Sequence, residues 1–209
     1  MEQEQALTQA FRAAAEKVSA IVSEVKTMDD ALAYTVDLCE RKEACRLLVS
    51  GCEAPLSAPA GDLCDQKQQK VMAAPLLSEE QTRALATLCE QRGIGFVREG
   101  LRKHLSGIDI GLTMADFGIA ETGTLVIDSS SEEVRLATMI SEVHVAVLPK
   151  KRIRAEAFEI EADLRQLMGT TPNYAAFITG ASRTADIERV LALGVHGPLE
   201  LHILLLEEN

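Results

Sequence analysis

Residues Gly111 to Asp128 read GLTMADFGIAETGTLVID, and the placement of this stretch decides the fold. It opens apolar, sets one acid at Asp116, turns apolar again at Ile119 and Ala120, and presents Glu121-Thr122-Gly123-Thr124 before Leu125-Val126-Ile127. Two strand-like runs therefore flank a turn made of an acid, two hydroxyls and a glycine. One reading is a site at the end of a buried strand, where Gly123 lets backbone amides approach a ligand. On that reading Glu121 and Asp116 are the candidate catalytic carboxylates, and Thr122, Gly123 and Thr124 bind ligand. A carboxylate among apolar residues has a raised pKa and can act as base or nucleophile, so Glu121 comes first. The other reading is a tight connection whose side chains only satisfy turn amides.

Outward from this stretch, strands and helices alternate. Residues 2–26 read as a helix, with Leu7, Phe11, Ala14, Val18, Ile21 and Val25 on one face. Its heptad-like spacing would also suit a seam with a second copy, although docking on the chain's own core is the commoner outcome. Thr27 or Asp29 caps a second helix to about Glu43. Residues 1–43 thus read as an N-terminal helical segment packed on the core, and 44–209 as an α/β domain. Within the latter, 46–50, 70–76, 94–97, 144–148, 175–179 and 201–206 read as strands. Ser78-Glu79-Glu80-Gln81 is a capping-box start for a helix to Gly93, and further helices are expected over 132–142 and 156–168. Several strands are apolar throughout, which predicts an α/β fold: a mostly parallel sheet with helices on both faces.

A second candidate site follows the strand at 175–179. Thr179-Gly180-Ala181-Ser182-Arg183-Thr184-Ala185-Asp186 precedes an expected helical turn over 186–191. Free amides, the hydroxyls of Ser182 and Thr184, Arg183 and Asp186 would make a cradle for a phosphate or carboxylate. Plain N-capping with Arg183 paired to Asp186 explains the same residues equally well. His196, in a glycine-rich turn, joins this set as a candidate proton carrier. His144 and His202 stand at strand starts and read as structural. No Walker or dinucleotide-binding glycine pattern is present.

The 209 residues are 47% hydrophobic and 25% charged, with a formal net charge of −11. These are globular values, and the acidity argues against a nucleic-acid partner. No run of apolar residues is long enough for a membrane span. The acidic, amphipathic first residues do not read as a secretory signal, which points to the cytoplasm. Cys39, Cys45, Cys52, Cys64 and Cys89 form no CxxC pair, so neither a metal site nor a cofactor is expected in this chain.

Three ordered blocks, ADFGIAETGTLVID, RLATMISEVHVAVLP and FITGASRTADIERVLALGVHGPLELHILLLEE, resemble the LUD-domain proteins, in particular the lactate utilisation protein C (LutC/YkgG) group. The resemblance covers residues 46 to the C-terminus. It implies a NagB/RpiA/CoA-transferase-like α/β domain. It also implies a subunit role in bacterial oxidation of L-lactate to pyruvate, beside A- and B-type partner proteins that carry iron–sulfur clusters. Such a subunit would bind substrate, a small carboxylate or other anion, or serve assembly. Two alternatives stand beside it: an independent CoA-transferase-like or sugar-phosphate-isomerase-like enzyme built on Glu121, and a scaffold whose first helix pairs with another chain.

Overall fold

Six parallel strands form the central layer of the computed structural model, which describes residues 2–42, 69–104, 107–169, 171–184, 192–194 and 196–207. In chain order the elements are α1 (Glu2–Lys17), β1 (Ala20–Val25), α2 (Met28–Arg41), β2 (Val71–Ala73), α3 (Glu79–Gln91), β3 (Gly95–Val97), β4 (Ile108–Met114), β5 (Phe117–Ile119) and β6 (Thr124–Asp128). There follow α4 (Glu132–Met139), β7 (Ser141–Pro149), β8 (Ile153–Arg154), α5 (Glu161–Leu167), β9 (Ala175–Ile178), β10 (Arg183–Thr184), β11 (Ala192–Leu193) and β12 (Glu200–Leu206). The sheet order is β1-β12-β7-β4-β2-β3. A second sheet, ordered β8-β5-β6-β9, is built around the antiparallel β5–β6 hairpin, and β10 pairs with β11. The strand expected over 46–50, Cys45, Cys52, Cys64, and the 186–191 turn with Asp186 lie outside the described residues.

Alternation along the strands sorts the core into two slabs. Val143, Val145 and Val147 of β7 face α2 and α3, where Leu32, Val36, Cys39, Leu85 and Cys89 are buried. Ala146 and Leu148 face the other way, onto Phe11 and Ala15 of α1 and Leu125 and Ile127 of β6. Helices thus cover both faces of a parallel sheet, as the apolar strands required. Both described cysteines are core hydrophobes. Burial pushes the Cys39 thiol up to about 12 and the Cys89 thiol to about 11, which leaves them unreactive.

One expectation fails at the N-terminus. The helix expected over 2–26 ends at Lys17, Ser19 takes a left-handed φ of 68°, and 20–25 is the edge strand paired with β12. Ile21, Val22 and Val25 are β-branched and suit a pleated edge better than a helix. Ile21 and Val25 continue the helical period, yet in the strand Ile21 is exposed and the buried positions are 20, 22 and 25. The second helix begins as read, with Thr27 and Asp30 closing a capping box, and Ser78 and Gln81 close another on α3.

Three buried charges tie the amino ends of the strands to α2. Lys42 Nζ lies 2.9 Å from Asp109 Oδ1 and 2.6 Å from Glu142 Oε2, with all three side chains at most 5% exposed. Asp109 Oδ2 accepts the Val71 amide at 2.8 Å. Burial disfavours the Lys42 cation, yet its two carboxylates outweigh that and hold its pKa above the usual value of 10.5. Its contribution to stability is therefore complete below pH 10.5 and is lost as pH rises through the higher folded-state value. Replacing Lys42 with Met strands two carboxylates in the core. The expected cost is about 3–5 kcal/mol, roughly 10 °C in Tm; a calorimetric loss under 2 °C would show that the triad does not hold the strand ends.

Candidate functional site

The two motif loops meet. Thr122 Oγ1 is 2.7 Å from Thr124 Oγ1, which is 2.8 Å from Thr179 Oγ1. This run of hydroxyls joins the turn of the β5–β6 hairpin to the loop that leaves β9. Both loops also press on the end of α1. Gly123 (φ +66°) has no room for a side chain, because a Cβ would stand 2.3 Å from the Ala15 amide nitrogen. At Gly180 (φ +79°) a Cβ would stand 2.0 Å from the Val18 carbonyl oxygen. Each glycine is thus demanded twice, by its left-handed backbone and by the helix end against it. Gly123, read first as room for a ligand, makes room for the chain's own helix.

The carboxylates of the first motif sit differently from their expectation. Glu121 is exposed rather than set among apolar side chains, and its amide is bound to the Ala155 carbonyl at 3.0 Å. Asp116 is half-buried, and its Oδ2 accepts the Asp128 amide at 2.6 Å. Burial holds the Asp116 carboxyl above the usual carboxylate range, against the pull of that amide. Its amide donates to the Val126 carbonyl, so Asp116 ties the two hairpin strands together at their open end.

The second motif contributes to a cleft of about 360 Å³. One wall is the end of α4, with Arg135, Thr138 and Met139; the other is β9 and its following loop, from Ala176 to Ser182. His196, Gly197 and Pro198 close one end, Ser129 and Tyr174 the other, and His144 and Leu201 line it from the central sheet. Ser182 organises the loop: its amide donates to the Pro198 carbonyl at 2.9 Å, its carbonyl accepts the Gly194 amide at 2.9 Å, and its Oγ accepts the His196 amide at 3.4 Å. Arg183 points elsewhere. It is exposed and reaches Ser19 Oγ at 3.5 Å, while Thr184 pairs in β10. The cradle expected at Arg183 is thus split, with Ser182 and His196 in the cleft and Arg183 outside it.

Two further residues line the cleft: Arg135, not singled out from the sequence, and His144, read there as structural. Nη1 of Arg135 donates to the carbonyls of Ser129 and Ser130 at 2.6 and 3.0 Å, which fixes the guanidinium at the cleft. No carboxylate lies within ion-pair distance of it among the described residues, and no Asp or Glu lines the cleft. His144 is 1% exposed, and its Nε2 is 2.8 Å from Thr113 Oγ1. Burial pulls its pKa down to about 4, so the imidazole is neutral at physiological pH. A signal for His144 existed: it is an imidazole within a strand otherwise buried and mostly apolar. Arg135 opens the second of the three quoted blocks, but nothing in its own neighbourhood marked it as a site residue.

A three-layer α/β domain, with a cleft lined by motif residues, sets the class of protein. The chain belongs to the LUD domain family, whose model matches residues 8–206. It is similar to lactate utilization protein C of Shouchella clausii, 34% identical over 103 residues, 48% of this chain and 45% of that protein. Lactate utilization protein C of Bacillus subtilis is 32% identical over 110 residues, 51% of this chain and 46% of that protein. An uncharacterized protein of Neisseria meningitidis serogroup B is 32% identical over 148 residues, covering 68% of this chain and 64% of that protein. The chain therefore spans about half the length of the lactate utilization relatives it matches. The crystal structure of a DUF162 family protein from Deinococcus radiodurans superposes with a TM-score of 0.58 over 97% of this chain and 98% of that one, at 15% identity, a likeness of fold.

Two outcomes follow. In an NMR titration the His144 ring should stay neutral from pH 7.5 down to about 5 and begin to charge only near pH 4. The stability of the neutral form, on the order of 3 kcal/mol, is complete above pH 6.5 and lost as pH falls towards 4. A midpoint above 6 would contradict the enclosed site. Gly123→Ala and Gly180→Ala should each cost at least about 2 kcal/mol, roughly 4–8 °C in Tm; unaltered melting would mean that α1 does not rest on these loops.

Proposed function

We propose that this chain is the carboxylate-binding component of a lactate utilisation system. In this reading the cleft beside Arg135 holds a small anionic acid, and electron transfer belongs to partner proteins that carry iron–sulfur clusters. The observation that carries it is the cleft's charge: one anchored guanidinium and hydroxyls from Ser129, Thr138, Thr179 and Ser182, with neither a carboxylate partner for the guanidinium nor an acidic lining side chain among the described residues. Arginine held in this way is suited to carboxylate recognition. Membership of the LUD family and the names of the lactate utilization relatives supply the physiological context. Asp116 and the threonine run then serve to shape the site, and exposed Glu121 stands outside it.

The test is growth. A strain of the source organism lacking this gene should fail to grow on L-lactate yet grow normally on glucose. The wild-type gene should restore growth, and Arg135→Gln should restore little of it while the protein accumulates to normal levels with unchanged melting. Full restoration by Arg135→Gln would remove the cleft from the function; normal growth of the deletion strain on L-lactate would remove the function itself.

A further inference from the structure

We propose that His144 reads the oxygen on carbon 2 of the bound acid, so that the cleft prefers a 2-hydroxy or 2-oxo carboxylate to the same acid without that oxygen. The inference rests on the reading that the cleft takes a small carboxylate at Arg135. It starts from the hydrogen bonds of one enclosed pair. Thr113 Oγ1 and His144 Nε2 are 2.8 Å apart, and Thr113 is 4% exposed. Neither side chain has another hydrogen bond among the described residues.

That pairing selects a tautomer. If Nε2 carried the proton, it would donate to Thr113, and the threonine's own proton would be left enclosed without an acceptor. If Thr113 donates to Nε2, its proton is satisfied and only oxygen lone pairs go unused, which is the cheaper deficit. The ring proton then sits on Nδ1, and a neutral imidazole offers the cleft one N–H donor. An enclosed donor favours a ligand that supplies an acceptor and disfavours one that leaves it unpaired. Both a hydroxyl and a keto oxygen accept, whereas a methylene does not. Arg135 and His144 line the same cleft, so we assign the guanidinium to the carboxylate and the ring N–H to the oxygen beside it.

Calorimetric titration of the purified chain with L-lactate, pyruvate and propionate tests this, because propionate lacks only the oxygen on carbon 2. The wild type should bind L-lactate and pyruvate about tenfold more tightly than propionate, the value of one net hydrogen bond. His144→Phe should abolish the preference while leaving propionate affinity within about twofold, and His144→Asn, which returns an amide near the Nδ1 position, should recover part of it. Equal affinities in the wild type, or a preference that survives in His144→Phe, would overturn the proposal. If His144→Phe does not fold, the ring nitrogen resonances of wild-type His144 decide: Nδ1 should shift with L-lactate and pyruvate and stay still with propionate, and an equal response to all three overturns it. Failure of the wild type to bind any of the three acids, or binding that Arg135→Gln does not weaken, defeats the underlying reading separately.

Discussion

The end of α1 rests directly on the backbone of two loops, and the site depends on that contact. Gly123 and Gly180 are far apart in sequence, yet each leaves no space for a methyl group between itself and residues 15–18. Backbone against backbone at this distance has no side chain to yield, so it fixes position more firmly than side-chain packing does. The threonine run from Thr122 through Thr124 to Thr179 adds a lateral tie between the same loops. From this seat the loop after β9 passes to Ser182, whose three backbone and hydroxyl bonds set the 194–198 turn. The cleft's geometry is therefore inherited from how a helix ends.

Charge is arranged with similar economy. The chain is strongly acidic, and its buried carboxylates at Asp109 and Glu142 are gathered on Lys42 at the amino ends of β4 and β7. A buried cation between two anions would be a poor way to gain stability, since desolvation opposes the attraction. Its effect here is positional, because it joins α2 to three strand ends at once. Among the described residues, no acid lines the cleft between α4 and β9. Among the described residues Arg135 is anchored by carbonyl oxygens rather than by a carboxylate, and the proposed function gives its charge to a ligand.

Much of the fold was legible because its signals are local. Continuous apolar runs gave the strands at 144–148 and 201–206, and Thr27 and Ser78 with their N3 partners gave two helix starts. The first element was misread past Lys17 because Val18, Ile21 and Val25 continue the spacing of the helix face, and only pairing with β12 decides against it. The site was legible in part. The two motif blocks stood out by composition, and the structure joins them. Their roles did not stand out, because whether a glycine makes room for a ligand or for a helix depends on what arrives from elsewhere in the chain. Glu121 drew attention as a lone acid near apolar strands, but the hairpin turn carries it to the surface. Arg135 and His144 lie in the block 135–149, between the two loops read as sites, and only the packing of α4 beside β7 brings them to one cleft.

The central claim is that the cleft between α4 and β9 is where this LUD-family chain meets its small-acid ligand. Backbone amide shift mapping of the isotopically labelled chain during titration with L-lactate tests it most directly. The account predicts saturable changes concentrated at Arg135–His144, Tyr174–Ser182 and His196–Pro198, with little response around Glu121. Changes centred on Glu121 and Thr122 with a silent cleft would contradict it and would return the chemistry to the hairpin turn.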